Sequence, residues 1–475
     1  MSTALLTDLY ELTMVQGYLE LDHNPDVVFD MSFRRQPFGG GFAVFAGLDD
    51  LLDHIAAVRF TDDDISYLRS LGLFRESFLD YLRDFRFSGD LYAMSEGSLA
   101  FAGEPLLRVH ASLAEAQLIE GLLLNTINFQ TLVATKAARV FLASNGGAVL
   151  EFGLRRAQGP DGAMSASRAA YIGGAAATSN TRAGKELGIP VRGTMAHSWV
   201  MSFDSEVESF RRFADLYPDA CILLIDTYST LDSGIEAAID VGLEMKMQGK
   251  SIGVRLDSGD LEYLSREVRR RLDEAGLTDA TITASNELNE EIIQQLVSSD
   301  CPIDSWGVGT HLVTGGSDSS LTGVYKLAAK KDGESMVPTL KVSNQPAKTS
   351  NPGVKQVYRF RHSDGSPLAD LIAMEDEIVE PGNRYSFNHP DLSGRKFEVA
   401  HYERIDRLLQ KCMESGTRTT DRVSLPELRA RTVEELARLD HTYKRFINPH
   451  EYKVSLSDNL AAAKRELIGH HVTEI

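Results

Sequence analysis

The middle of the chain alternates between short apolar runs and stretches with an apolar residue every three or four positions. The apolar runs predict strands and the amphipathic stretches predict helices, in units of about thirty residues that match a β-α-β unit. The predicted strands are Val149–Arg155, Val191–Ala196, Cys221–Asp226, Ser251–Leu256, Ala280–Ser285 and Ile303–Val308. The predicted helices are Ala166–Leu187, Ser205–Leu216, Gly234–Met247, Leu261–Ala275 and Glu290–Val297.

Continuously apolar strands are typical of parallel strands that are buried on both faces. We therefore predict an irregular α/β barrel over residues 116–324, with a doubly wound open sheet as the alternative. The rhythm is absent from residues 1–115 and from residues 325–475, which end in a charged helical tail. These two segments are predicted to form a second α+β domain built from both ends of the chain.

Charge and composition narrow the class of protein. The net charge of −19 argues against general binding to nucleic acid or to an anionic membrane. The apolar segment Ala114–Ala143 contains charged residues such as Lys136 and Arg139, which predicts a buried helix and not a membrane span. A local cluster of cations and backbone amides must therefore hold any polyanionic ligand.

The cysteines and the start of the chain bear on the compartment. Cys221, Cys301 and Cys412 are far apart and form no Cys-x-x-Cys pair, which argues against a zinc module or a disulfide framework. The first residues show neither the basic start nor the apolar core of a signal peptide. A cytoplasmic location is expected.

Each predicted barrel strand ends in polar residues, and the carboxyl ends of barrel strands are where active sites form. Six polar ends on one face of a barrel predict a pocket. In chain order, the residues are Glu151, Arg155 and Arg156; Thr194 and His197; Asp226, Thr227 and Tyr228; Arg255, Asp257, Ser258 and Asp260; Ser285 and Asn286; and Gly307, Gly309, Thr310 and His311.

His197 is the chemically most informative of these residues. Histidine takes a phosphoryl group or transfers a proton near neutral pH, and a carboxylate on one ring nitrogen leaves the other nucleophilic. Asp226, at the end of the next predicted strand, is a candidate for that carboxylate. From spacing alone, a packed structural histidine is an equally good interpretation.

The other strand ends predict phosphate binding. Arg155, Arg156 and Arg255 carry guanidinium groups suited to phosphate or carboxylate. The run Gly307–Thr310 lets backbone amides approach an anion, although two glycines after a strand more often form a simple turn. Asp257 suits Mg²⁺ that arrives with a phosphorylated substrate.

Other residues exclude some chemistries. Asp260 fits a helix N-cap better than a metal ligand, because it directly precedes a predicted helix. None of the predicted strands ends in lysine, which argues against a Schiff-base aldolase. The first strand has no His-x-His pair, which argues against a metal-dependent barrel hydrolase.

Five motifs together resemble the nicotinate phosphoribosyltransferase family, and they occur in the family's order. They are Thr7–Met14, Glu151–Gly159, Gly193–Ser198, Arg255–Asp260 and Gly307–Thr310, followed by a basic segment over Lys341–Arg359. The resemblance implies an irregular α/β barrel with an open-faced α+β sandwich domain, assembled as a homodimer. It also implies transfer of phosphoribosyl from 5-phosphoribosyl 1-pyrophosphate to nicotinate, with Mg²⁺, and with ATP hydrolysis coupled through a phosphohistidine.

The resemblance also implies roles for individual residues. His197 matches the phosphohistidine, and Tyr10 matches a tyrosine that reaches the site from the partner subunit and stacks on the base. Thr194 and Arg255 match contacts to the nicotinate carboxylate. Phosphoribosyl pyrophosphate contacts are expected at Arg155, Asp257, Gly307, Gly309 and Thr310. Further site residues are expected at Glu151, Ser179, Asn180, Ser285, Lys348 and Lys355, the last two being equally explained as a solvated face.

The choice of substrate is predicted from one neutral position. Related nicotinamide enzymes carry an aspartate near Ser179-Asn180, and here the position is neutral. An acid would repel nicotinate, so its absence favours the acid substrate. Two alternatives stay open: another phosphate-binding barrel, such as a quinolinate or nicotinamide enzyme, and a catalytically silent barrel that acts as a binding protein.

Overall fold

The computed structural model describes residues 3–343, 345, 348–392 and 394–471. The strands are β1 Asp26–Phe33, β2 Ala43–Val44, β3 Asp90–Ala93, β4 Leu99–Ala100, β5 Leu107–Ser112, β6 Ala148–Glu151, β7 Ala177–Thr178, β8 Ile222–Leu224, β9 Gly253–Leu256, β10 Thr281–Ala284, β11 Ser305–Val308, β12 Gly323–Asp332, β13 Ser335–Pro338, β14 Lys355–Arg361, β15 Pro367–Met374, β16 Tyr385–Asn388, β17 Lys396–Val399, β18 Arg404–Arg407, β19 Gln410–Glu414, β20 Thr417–Arg418 and β21 Val454–Leu456.

The helices cover much of the remaining chain. They are α1 Leu9–Glu20, α2 Leu48–Ala57, α3 Asp62–Ser70, α4 Glu76–Asp84, α5 Leu113–Leu118, α6 Glu120–Ala143, α7 Gly159–Ile172, α8 Thr181–Leu187, α9 His197–Met201, α10 Glu206–Leu216, α11 Ile235–Met247, α12 Leu261–Glu274, α13 Glu290–Ser298, α14 Thr310–Thr314, α15 Leu425–Arg438, α16 His441–Lys444 and α17 Asp458–His471. None of the helices in the described ranges is long and apolar enough to cross a membrane.

The chain folds into two compact units, one over Val133–Ser319 and one over Met1–Leu132 together with Ser320–Ile475. Within the described residues of the first unit, six parallel strands pair in the order β7-β6-β11-β10-β9-β8. This is the circular order of a barrel with one interruption, because β11 returns to pair with β6 while β7 and β8 are not joined. The prediction of an irregular α/β barrel is therefore confirmed.

Two of the barrel predictions are wrong, and both lie at that interruption. The helix expected over Ala166–Leu187 is split into α7 and α8, with β7 between them. Gly173 packs so closely on the Ala134 carbonyl that a Cβ would clash, and Gly174 has a φ of +115°, so the helix ends there. The strand expected over Val191–Ala196 makes only an isolated bridge from Val191 to Thr178.

The second unit is built from both ends of the chain. Its first sheet has the order β13-β12-β1-β5-β3-β19-β20 in the described residues, and β1 pairs antiparallel with β12 from the far end of the chain. Phe29 of β1 stacks on Tyr325 of β12, with 4.6 Å between ring centroids. A second sheet has the order β17-β16-β21-β15-β14-β18. Its central strands are joined by the buried ion pair of Arg359 with Asp370 at 2.6 Å.

Candidate active site

The carboxyl ends of the barrel strands surround a cavity of about 630 Å³. Of the residues that the sequence predicted for the pocket, those that line it are Arg155, Arg156, Ser179, Thr194, Arg255, Asp257, Ser285, Asn286, Gly307, Gly309 and Thr310. These residues come from separate loops, and the parallel strands bring them together because all the carboxyl ends meet on one face.

His197 stands at the start of α9 with its side chain 41% exposed. Its Nδ1 lies 3.1 Å from the Thr227 hydroxyl, and its Nε2 lies 3.7 Å from Oδ2 of Asp257. The ring is therefore held between a hydroxyl and a carboxylate while one edge stays open to solvent. This arrangement suits a group that receives a phosphoryl from a soluble donor.

Asp226 does not occupy the place expected for it beside His197. Its Oδ2 accepts hydrogen bonds from the Asp257 backbone amide at 3.2 Å and from the Ser258 hydroxyl at 2.5 Å. Successive residues of an extended chain point to opposite sides, so Thr227 faces the ring where Asp226 was expected. Asp226 instead fixes the turn that carries Asp257.

Arg255 and Thr194 form a polar pair on the cavity wall. Arg255 donates from Nη1 to the Thr194 hydroxyl at 2.5 Å, and its Nη2 lies 3.9 Å from Asp257. Burial lowers the pKa of Arg255, and the carboxylates of Asp257 and Asp226 oppose that shift. Its Nε is buried and has no partner in the described residues. A carboxylate ligand would satisfy this group, which keeps its charge at neutral pH.

Asp257 is the acidic centre of the cavity. Its Oδ1 accepts from the Ser285 hydroxyl at 2.5 Å, which leaves Oδ2 facing the looser contacts with Arg255 and His197. Oδ1 of Asp226 is buried without a hydrogen-bond partner in the described part of the chain. Both are hard oxygen ligands of the kind that Mg²⁺ prefers. No group of three or more acidic, histidine or cysteine side chains that could hold a metal ion is found among the described residues.

The prediction for Asp260 is confirmed. Its side chain accepts from the Tyr263 backbone amide at 3.1 Å as the N-cap of α12. The carboxylate is therefore engaged in helix capping.

Glu151 and Asn180 support the cavity wall from behind. The buried Glu151 carboxylate accepts from the hydroxyls of Ser167 and Thr178 at 2.9 and 2.5 Å, and from the amide of Gly153. Asn180 caps α8 and donates to Ser167 at 3.2 Å, whereas its neighbour Ser179 lines the cavity. We therefore infer that Glu151 and Asn180 position the strand ends and that Ser179 faces the ligand.

Phe152 is a cavity residue that sequence reasoning missed. Its ring packs over Gly307, where an added Cβ would lie only 2.6 Å from a ring carbon. A side chain at position 307 would therefore clash with the Phe152 ring. An aromatic residue directly after a strand-end glutamate was the available signal. Such a ring gives a planar base a face on which to stack.

The run Gly307–Thr310, at the end of β11 and the start of α14, lies beside Phe152 on the cavity wall. Gly309 lies against the Phe152 carbonyl, 3.2 Å from where a Cβ would stand. The Thr310 hydroxyl donates to Glu287 at 3.3 Å, a long contact that an incoming phosphate oxygen would replace. That the backbone amides of this run bind an anion stays a prediction.

Tyr10 belongs to α1, in the unit built from the chain ends, and it does not line this cavity. Its side chain is 47% exposed. Partial burial and the nearby Glu120 carboxylate raise the pKa of Tyr10 to about 12. The phenol therefore stays neutral and keeps an exposed aromatic face.

Lys348 and Lys355 also lie in that unit, and they differ in whether their ammonium groups are free to bind a ligand. Lys348 is exposed, whereas Lys355 is 1% exposed and its ammonium contacts Asp30 at 2.6 Å. The same ammonium donates to the carbonyls of Asn351 and Gly353. All three of its donors are used inside the fold, which argues against Lys355 as a phosphate ligand. Lys348 stays a prediction.

Comparison with known proteins identifies the family. Residues 5–128 match the nicotinate phosphoribosyltransferase N-terminal domain, and residues 354–464 match the corresponding C-terminal domain. The nicotinate phosphoribosyltransferase of Bacillus subtilis is 43% identical over 98% of this chain and 95% of its own length. The human nicotinate phosphoribosyltransferase is 35% identical over 98% of this chain and 96% of its own length.

A solved structure gives the same result. The crystal structure of human nicotinic acid phosphoribosyltransferase superposes with a TM-score of 0.85 at 32% sequence identity. The match covers 97% of this chain and 99% of the human one, so both units take part. This chain belongs to the nicotinate phosphoribosyltransferase family.

Proposed function

We propose that the protein transfers the phosphoribosyl group of 5-phosphoribosyl 1-pyrophosphate to nicotinate, forming nicotinate mononucleotide and pyrophosphate. The observation that carries this proposal is the Arg255–Thr194 pair in a cavity with further cations on its wall. The arginines lining it are Arg155, Arg156, Arg192 and Arg255. Such a concentration of positive charge in a chain of net charge −19 suits a polyanionic substrate.

In this proposal the two substrates would contact different groups of cavity residues. The nicotinate carboxylate would accept from Arg255 and Thr194, with its ring against Phe152. The bond from the ribose anomeric carbon to pyrophosphate breaks as the pyridine nitrogen attacks, so negative charge accumulates on the leaving group. Arg155 and the amides of the Gly307–Thr310 loop would stabilise that charge.

Mg²⁺ fits this site together with the pyrophosphate. Asp257 would hold the ion, with Asp226 as a second oxygen donor, and the remaining ligands would come from phosphate and water. When bound, the ion neutralises charge on the departing pyrophosphate. Ser285 orients Asp257 for this contact through its 2.5 Å hydrogen bond.

ATP would drive the reaction through His197. The ring is exposed, lies next to the cavity residues Ala196 and Asp257, and has a carboxylate that stabilises positive charge on it. Phosphorylation of His197 by ATP would couple hydrolysis to the neighbouring transfer. The cytoplasm is the compartment we assign, since Cys221, Cys301 and Cys412 are all free thiols.

A substrate panel tests the proposed function. Purified protein is given phosphoribosyl pyrophosphate, Mg²⁺ and either nicotinate, nicotinamide or quinolinate, with and without ATP, and pyrophosphate release is measured. Nicotinate is expected to react fastest, and ATP to increase its rate. A faster reaction with quinolinate or nicotinamide would reassign the substrate, and no release with any of the three would favour a binding protein.

A homodimer with shared active sites is the expected assembly. Several large apolar residues of α1 and of the segment before it are exposed to solvent, which is unfavourable unless another surface covers them. They are Leu6, Leu9, Tyr10 and Met14, which are between 38 and 53% exposed. A second copy that covers this surface would bring Tyr10 to its neighbour's site, where its neutral ring would stack on the base.

Sharing of sites predicts complementation between two inactive variants. Tyr10→Ala and His197→Ala are purified separately, mixed under conditions of subunit exchange, and assayed for ATP-stimulated transfer. Each mixed dimer has one site that lacks both side chains and one that keeps both. Because half of the dimers are mixed, about a quarter of the wild-type activity is expected.

Two controls accompany the complementation experiment. Each variant exchanged with itself must stay inactive, and size measurements must show dimers. Mixed dimers without recovered activity would contradict the sharing of sites.

A further inference from the structure

The loop after β8 is held at both of its ends. At the start, the Asp226 carboxylate is bonded to the turn that follows β9. At the end, Gly234 packs so closely on the Ile225 carbonyl that any Cβ would clash with it. The chain between them passes through a π-helical turn over Thr230–Gly234, a conformation often found beside functional sites. Thr227 is therefore presented from a fixed piece of backbone.

The Thr227 hydroxyl makes one hydrogen bond within the described residues, and its partner is Nδ1 of His197 at 3.1 Å. The other ring nitrogen faces Asp257 at 3.7 Å. In the neutral imidazole only one nitrogen carries a proton, and a carboxylate is a better acceptor than a hydroxyl. We assign the proton to Nε2 because the Asp257 carboxylate attracts it electrostatically, although 3.7 Å is too long for a direct hydrogen bond. Nδ1 then keeps its lone pair and accepts from Thr227.

We propose that Thr227 is a positioning residue for the phosphorylation of His197. Its hydroxyl holds the Nδ1 lone pair in the resting protein, and it donates to a phosphoryl oxygen once the group has been transferred. This inference rests on the proposed ATP-coupled function. It goes further by naming a residue that orients the reacting nitrogen.

The step balances as a simple phosphoryl transfer. The Nδ1 lone pair of His197 forms a bond to the γ-phosphorus of ATP, and the bond from that phosphorus to the β–γ bridging oxygen breaks. ADP leaves with the electron pair. The ring keeps its Nε2 proton and gains positive charge, which the Asp257 carboxylate stabilises. Thr227 loses its acceptor at Nδ1 and finds a stronger, charged one on the phosphoryl group.

Two substitutions at one position test the proposal. Thr227→Val removes the hydroxyl at nearly constant shape, and Thr227→Ser keeps it. Single-turnover labelling from γ-labelled ATP is expected to be about 10- to 100-fold slower in Thr227→Val, the value of one or two hydrogen bonds to a charged group. Thr227→Ser is expected to stay within about threefold of wild type. Thr230→Val, in the same loop, is the matched control and is expected to label at the wild-type rate.

The ring nitrogen that carries the phosphoryl group provides a second measurement, and a general loss of structure would not change which nitrogen is labelled. Phosphorus–proton correlation NMR of the denatured phosphoprotein is expected to find the phosphoryl group on Nδ1 in wild type, with a larger Nε2 fraction in Thr227→Val. Labelling of Thr227→Val at the wild-type rate, or wild-type label on Nε2, would overturn the proposal. If wild type takes no label at all, the ATP-coupled function itself has failed and this inference falls with it.

Discussion

Replacing His197 by alanine is expected to abolish the acid-labile, base-stable label that γ-labelled ATP leaves on the wild-type protein. The ring is 41% exposed, so the donor can reach it, and Asp257 at 3.7 Å stabilises the charge that phosphorylation places on it. Alanine offers no nucleophile. The ATP-dependent part of the transfer rate should therefore fall by roughly a thousandfold or more.

The same variant is expected to keep a weak transfer activity that ATP no longer stimulates. In the proposed function, Arg255, Thr194 and the Gly307–Thr310 run would bind the substrates without the imidazole, so the sugar-transfer site would persist. Pyrophosphate release, measured with and without ATP, separates the two activities. Complete loss of both would mean that His197 takes part in the sugar transfer itself.

His311 supplies the matched control for the labelling. It lies in α14, just after β11; its side chain is 34% exposed, and the Glu287 carboxylate lies 3.6 Å from its ring. Its ring lacks the hydroxyl contact that Thr227 gives to His197 in the described structure. His311→Ala should take the label as wild type does. If the label persisted in His197→Ala and disappeared in His311→Ala, His311 would be the phosphorylated residue.

The strands and helices that the sequence predicted correctly are those whose burial follows a simple period. β9 and α12 lie within one or two residues of the predicted bounds, because their apolar positions face one continuous core. The helix and strand predictions over residues 166–196 were wrong where contacts with residues distant in the sequence determine the local structure. Gly173 ends α7 because the Ala134 carbonyl, in another helix, leaves no room for a side chain. The Gly173-Gly174 pair was the local signal for this break, and the helix prediction ran through it.

The candidate site shows the same division. Arg255 and Thr194 were predicted to line one pocket because parallel strands deliver their carboxyl ends to one face, and both do line it, although the strand expected before Thr194 does not form. Which of Asp226 and Thr227 faces His197 depends on the rotation of the chain as it leaves β8, and composition does not determine that. Lys355 is occupied by Asp30, which is over three hundred residues away in sequence. Such pairings appear only once the sheets are assembled.

Replacing Arg255 by alanine is expected to raise the KM for nicotinate far more than the KM for ATP. The Arg255 side chain is 13% exposed, and its guanidinium donates a hydrogen bond to Thr194. Its buried Nε has no hydrogen-bond partner in the described structure. A hydrogen-bonded contact with a charged partner contributes about 1.5–3 kcal/mol, which corresponds to a rise of roughly 10- to 100-fold. The KM for ATP is expected to change by less than about twofold, because ATP reacts at His197.

Two comparisons make this result specific to the carboxylate. Arg255→Lys keeps the charge and loses the planar fork, so its KM for nicotinate should lie between those of wild type and alanine. Nicotinamide has no carboxylate, so it makes no such contact with Arg255 and should react at a similar rate in Arg255→Ala. The ratio of the kcat/KM values for nicotinate and nicotinamide should therefore fall in this variant. Thermal unfolding of both variants checks that the cavity wall survives, since removal of Arg255 leaves Thr194 without its donor. Equal rises in both KM values would show that Arg255 supports the cavity as a whole and does not bind the base.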